Sequence, residues 1–134
     1  MERPTPPSQV TGARSILIVE DYKELRSLIA EILREAGYRV FEAANGAEGL
    51  SLLQKEAEKL NLVVTDLAMP GMDGHVFAEE IHQARPDIGI VFMSADPQPV
   101  LERAGDWGDG IGLLRKPFTE EELIACVQNV LKGA

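Results

Sequence analysis

Apolar residues along this chain alternate between two spacings. SILIVE (15–20) is a continuous run rich in β-branched residues, and after it Leu25, Leu28, Ile29, Ile32 and Leu33 recur at three- and four-residue intervals, the period of one helix face. Gly37 closes that helix as a C-cap. YRVFEA (38–43) predicts a second strand, and the segment from Ala47 to about Lys59, with Leu50, Leu53 and Ala57 on one face, predicts its helix. NLVVT (61–65) is a third strand, wholly apolar inside and therefore central. A helix from about His75 to Ala84 follows, stopped by Pro86, and IGIVFM (88–93) is a fourth strand. Residues 97–109 contain Pro97, Pro99, Gly105 and Gly108 and leave room for only a short fourth helix. IGLL (111–114) is a fifth strand. Thr119 with Glu122 three residues on forms a capping box that opens the last helix, continued by Leu123, Ile124, Val127, Val130 and Leu131. Five strand–helix repeats predict an α/β domain with a five-stranded parallel sheet covered on both faces.

Composition narrows the functional classes. At 134 residues the chain makes one domain, expected over 14–134, and the Pro-, Thr- and Ser-containing stretch 1–13 is expected to be a flexible lead or linker. Thirteen basic against 22 acidic side chains give a net charge of −9, which opposes attraction to nucleic acid or anionic lipid. The single cysteine, Cys126, falls among the apolar residues of the last helix and reads as a small core hydrophobe in a reducing compartment. No apolar run approaches the ~18 residues of a membrane span, so the expected location is the cytoplasm.

In open parallel sheets ligands bind beyond the carboxyl ends of the strands, where the strand order reverses. The residues at those positions are Glu20 and Asp21, Asp66, Ser94 and Lys116. The second strand ends in Ala43, Ala44 and Asn45, which suits a sheet edge away from the site. Three carboxylates converging in one crevice repel one another and call for a cation; oxygen-only ligands in a wet crevice favour Mg²⁺. A metal, the Lys116 ammonium and the Ser94 hydroxyl around Asp66 are what a transferring phosphoryl group requires, with Asp66 as nucleophile and future aspartyl phosphate.

The motifs EDY (20–22), DLAMPGMDG (66–74), Ser94-Ala95 and Lys116-Pro117-Phe118 together resemble the receiver domain of two-component response regulators and hybrid histidine kinases, the CheY-like family. The resemblance covers residues 14–133. It implies a flavodoxin-like, doubly wound sheet of strand order 2-1-3-4-5 with five helices. It also implies that Asp66 accepts phosphate from the phosphohistidine of a histidine kinase or phosphotransfer protein, and that Glu20, Asp21, Asp66 and the backbone carbonyl of Ala68 hold Mg²⁺. Lys116 would pair with the phosphate, Ser94 would move to bond it, and Lys116-Pro117 would be cis. The switching face, formed by the fourth helix, fifth strand and fifth helix, would meet the downstream effector, with Trp107 beside it. On this reading the chain is a phosphoacceptor, not an enzyme beyond its own phosphorylation and dephosphorylation.

Other readings meet specific obstacles. A haloacid-dehalogenase-like phosphatase needs a second Asp two residues after its nucleophile, where this chain has Ala68; a flavodoxin places a hydroxyl-rich phosphate loop where Glu20 and Asp21 stand. A phosphorylation-independent pseudo-receiver would not need all five site positions. Asp73 is read as shaping the Gly71–Gly74 turn, and His75 and His82 as helix and surface residues without a metal-ligand partner. Leu113 stands where many receivers carry a switching aromatic, and the Ala68 side chain has no polar group with which to orient water.

Overall fold

A computed structural model describes residues 14–56, 59–69, 72–96 and 110–133. Five parallel strands, β1 (Ser15–Val19), β2 (Arg39–Ala43), β3 (Leu60–Asp66), β6 (Gly89–Ser94) and β7 (Ile111–Arg115), form one sheet in the order β2-β1-β3-β6-β7. Counted along the sheet strands alone this is the expected 2-1-3-4-5. β3 is the centre of the sheet, and its residues 62–66 are all buried, because both ladder edges and both faces are covered. A hairpin of two-residue strands, β4 (Ala68–Met69) and β5 (Met72–Asp73), was not anticipated; it lies within the AMPGMD run, which is too short to carry a readable alternation.

The helices are α1 (Lys23–Glu35), α2 (Gly46–Glu56), α3 (Gly74–Ala84) and α4 (Glu120–Gly133), four among the described residues. The short helix expected within 97–109, together with Trp107, lies outside them. Helix boundaries follow local chemistry. Gly37, at φ 102°, supplies the left-handed C′ residue of α1, and the N–H groups of Gly37 and Tyr38 donate to the carbonyls of Arg34 and Leu33 in a Schellman pattern. At the start of α4, Glu122 N–H donates to Thr119 Oγ1 (3.1 Å) while Thr119 N–H donates to Glu122 Oε1 (2.8 Å). A related cap opens α2: Glu48 N–H donates to Asn45 Oδ1 (2.9 Å), and the N–H of Ala44, one residue before the cap, donates to Glu48 Oε1 (3.0 Å). No helix among the described residues is long and apolar enough to cross a membrane.

Strand alternation divides the core into two layers. Leu17, Val19, Val63, Ile90 and Phe92 pack with Phe77 and Ile81 of α3 and Leu53 of α2. Ile16, Ile18, Leu62, Val64, Val91, Met93 and Leu114 pack on the other face with Ile29 and Leu33 of α1 and Leu123, Val127, Val130 and Leu131 of α4. Cys126 is half-buried against this second layer, where burial pushes its thiol above the ordinary range.

The seat of α4 depends on two strand glycines. A Cβ on Gly112 would stand 2.6 Å from one Val130 methyl and 3.0 Å from Cys126 Sγ; one on Gly89 would stand 2.5 Å from the other Val130 methyl. Val130 is thus wedged into space that only glycine leaves. Gly112→Ala is expected to destabilise the domain by about 1–3 kcal/mol through overpacking, read as a lowered urea midpoint. Adding Val130→Ala should recover part of that loss, and failure to do so would place the strain elsewhere.

Candidate functional site

The alternation that builds the second core layer also builds the site. On β1, Ile16 and Ile18 face α1 and α4; on β3, Leu62 and Val64 do; on β7, Leu114 does. Continuing each by two residues reaches Glu20, Asp66 and Lys116. Register aligns these ends: Ile18 pairs with Val64, and Met93 with both Asp66 and Leu114. The ladders run one residue further through Glu20 N–H to Ala43 O (3.1 Å), Leu67 N–H to Met93 O (3.0 Å) and Lys116 N–H to Ser94 O (2.9 Å). The loops after β1, β3 and β7 therefore leave the sheet from nearly rigid starting points.

Lys116 Nζ lies 2.8 Å from Asp66 Oδ2 and 3.2 Å from Glu20 Oε1. Glu20 is only 1% exposed and Asp66 8%, so this ammonium neutralises carboxylates held largely out of water. One oxygen from each of Glu20, Asp21 and Asp66 lies within 4.8 Å of the others, with Asp21 on the exposed side. Burial raises the Glu20 carboxyl above its usual range; the Tyr22 N–H bonded to its Oε2 (3.0 Å) opposes this, and the neighbouring Asp21 and Asp66 carboxylates add to it. For Lys116, burial pulls the ammonium down, but its bond to Asp66 and the charges of Asp66 and Glu20 outweigh that and hold its pKa above the ordinary lysine value.

The other expected positions fall as follows. Ser94 ends β6, and its hydroxyl is engaged with its own loop: Oγ donates to the Asp96 carbonyl (2.7 Å) and accepts from the Asp96 N–H (3.1 Å). Ala68 lies two residues beyond Asp66, at the start of β4. The Lys116–Pro117 peptide is cis. Leu113 is half-buried against the α2/α3 core layer. The N-cap of α1 is Tyr22, which makes no side-chain capping bond. An apolar groove of about 600 Å³ opens beside Lys116 between α1 and the β7–α4 loop, lined by Leu25, Leu28, Ile32, Pro117 and Phe118.

Two residues tied to the site were not singled out from the sequence. Arg26, on the first turn of α1, donates from Nη1 to the Glu20 carbonyl (2.9 Å), and its Nε lies 3.6 Å from Glu42 Oε1 on β2. Arg26 stands between Leu25 and Ser27, and Glu42 between Phe41 and Ala43. The contact between them depends on how α1 lies across β2, which periodicity does not specify.

The family model described as the response regulator receiver domain matches residues 16–128. The sensor kinase CckA of Brucella abortus (strain 2308) is 31% identical over 93% of this chain, a stretch amounting to 13% of the kinase. The response regulator receiver protein CpdR of the same organism is 31% identical over 90% of this chain and 99% of its own length. Among solved structures, the chemotaxis response regulator CheY4 of Vibrio cholerae is similar with a TM-score of 0.78 at 28% identity, covering 88% of this chain and 98% of its own. The chain thus spans an eighth of one curated relative and nearly the whole of another. With the family match running from the second residue of β1 into α4, and the doubly wound sheet beneath it, the chain belongs to the receiver domain family of two-component response regulators.

Proposed function

We propose that this receiver accepts a phosphoryl group on Asp66 from the phosphohistidine of a histidine kinase or phosphotransfer protein, and switches a partner by the resulting change of charge. The observation that carries this reading is Asp66 itself: a nearly buried carboxylate at the end of the central strand, 2.8 Å from Lys116 and clustered with Glu20 and Asp21. An Asp66 oxygen attacks phosphorus as the bond from phosphorus to the imidazole nitrogen breaks, leaving an acyl phosphate and a neutral histidine on the donor.

The donor set fits Mg²⁺. Glu20, Asp21 and Asp66 offer hard, anionic oxygens, with Asp21 on the side open to water, and Ala68 would add its main-chain carbonyl. Bound there, the ion supplies positive charge opposite the oxygens of the transferring group. Lys116 supplies the charge on the other side, exchanging its carboxylate partners for a phosphate oxygen. Ser94 releases Asp96 and bonds the phosphate. A phosphate brings roughly −1.5 to −2 of charge, and drawing Ser94 and Lys116 toward it pulls on the ends of β6 and β7. The output face is then the one that carries β7 and α4, with Leu113 in place of an aromatic switch; the short fourth helix assigned to the same face lies outside the described residues. We assign the working unit to 14–134, with 1–13 as a lead, acting in the cytoplasm either alone or within a larger kinase. The apolar groove beside Lys116 is where the donor protein would lie.

The test is intact mass after incubation with acetyl phosphate, with Mg²⁺ or with a chelator in its place. A gain of one phosphoryl group only with Mg²⁺ is the expected result. No gain in folded protein that binds Mg²⁺ would overturn it in favour of a phosphorylation-independent interaction module.

A further inference from the structure

The peptide that joins Glu20 to Asp21 is held from two sides. Glu20 N–H donates to the Ala43 carbonyl and so extends the β1–β2 ladder. The Glu20 carbonyl has left the ladder and accepts from Arg26 Nη1 at 2.9 Å. Arg26 is itself fixed: its N–H bonds the Tyr22 carbonyl (2.9 Å), its side chain is 16% exposed, and its Nε faces Glu42 Oε1 at 3.6 Å. Glu42 is held in turn by Arg34 Nη1 at 3.3 Å, while Arg34 Nη2 donates to the Val40 carbonyl (3.0 Å). A guanidinium donating to a carbonyl makes a stronger bond than a neutral donor, and one anchored by a carboxylate on its far side loses little further freedom in making it.

We infer that Arg26 is a positioning residue for the acidic cluster: by clamping the Glu20 carbonyl it sets the orientation of the following peptide, and with it the spacing between the Asp21 carboxylate and those of Glu20 and Asp66. It touches none of the reacting atoms. The inference rests on the proposed binding of a divalent cation by these carboxylates. Its sign separates it from two simpler roles. A cation acting only through its charge repels Mg²⁺, so its removal would tighten binding. A residue acting only on global stability would lower the unfolding midpoint and leave the affinity of the folded protein unchanged.

The experiment is calorimetric titration of the full chain with Mg²⁺, alongside thermal unfolding, for wild type, Arg26→Gln and Arg26→Lys. Arg26→Gln should weaken Mg²⁺ binding about tenfold, the scale found when groups that orient metal ligands are removed. In metal-free protein it should also shift the amide resonances of Asp21 and Tyr22. Arg26→Lys keeps a charged donor for the Glu20 carbonyl and should come within about threefold of wild type. Unchanged or tighter binding by Arg26→Gln, or equal weakness in both variants, would overturn the inference. Should Arg26→Gln not fold, Glu42→Gln frees the guanidinium from its β2 anchor; weaker Mg²⁺ binding then supports the inference and unchanged binding overturns it. Wild-type protein that binds no Mg²⁺ would instead overturn the proposed function on which the inference rests.

Discussion

Asp66→Asn is expected to gain no phosphoryl group from acetyl phosphate while folding as the wild type does. The amide nearly matches the carboxylate in volume but has no anionic oxygen, so the nucleophile is removed without opening a cavity. Its neighbours are not left stranded. Lys116 keeps Glu20 at 3.2 Å and can still donate to the amide oxygen. Glu20 loses one of the like charges that raise its carboxyl, so the repulsion within the cluster falls. The urea midpoint in metal-free buffer should therefore hold or rise, while Mg²⁺ affinity drops because one of three carboxylates is gone. Intact mass and urea unfolding on the same sample check both halves. A phosphoryl gain by the variant would place the acceptor elsewhere.

Lys116→Met separates the two roles assigned to the ammonium. Methionine keeps most of the aliphatic stem and removes the charge, so the phosphorylation rate should fall by about 10²-fold, the usual scale for losing one group that stabilises transition-state charge. The metal-free protein should also lose stability, by about 1–3 kcal/mol, the scale for leaving a buried polar group unsatisfied, because Glu20 and Asp66 would remain largely buried without their cation. Mg²⁺ should restore that stability, giving a larger rise in unfolding midpoint than in wild type. The pH dependence follows from Glu20. Burial holds its folded carboxyl above the unfolded value, so the native state binds this proton more tightly, and stability falls as pH rises through that interval. Losing the Lys116 charge widens the interval. A variant whose midpoint in chelator matches that of wild type at neutral pH would show that the ion pair contributes nothing to the fold.

Much of this was legible along the chain because it depends on local physics. The alternating periods located all five sheet strands to within a residue or so at each end, since strands such as β1, β3 and β6, buried on both faces, must be apolar for most of their length. Gly37, Thr119 and Glu122 marked helix ends because a left-handed residue and a reciprocal cap are properties of a few consecutive residues. Residues 97–109 are interrupted by Pro97, Pro99, Gly105 and Gly108. The hairpin Ala68–Asp73 is two residues deep, and neither stretch offers a period to read.

The sequence by itself determined which residues stand at the strand ends and what chemistry they can carry: three carboxylates, a lysine and a serine at separated positions, in an order that matches one family. The tertiary structure alone decided how they stand to one another. Parallel register, not spacing along the chain, put Glu20 and Asp66 on the same face as Lys116, which bridges the two carboxylates. The packing of α1 across β2 brought Arg26 to the Glu20 carbonyl and Glu42 to Arg26. The loop after β6 turned the Ser94 hydroxyl onto Asp96. Each of these contacts joins groups that belong to different elements or to an irregular loop, and a pattern of apolar residues specifies the elements while leaving the contacts between them to packing.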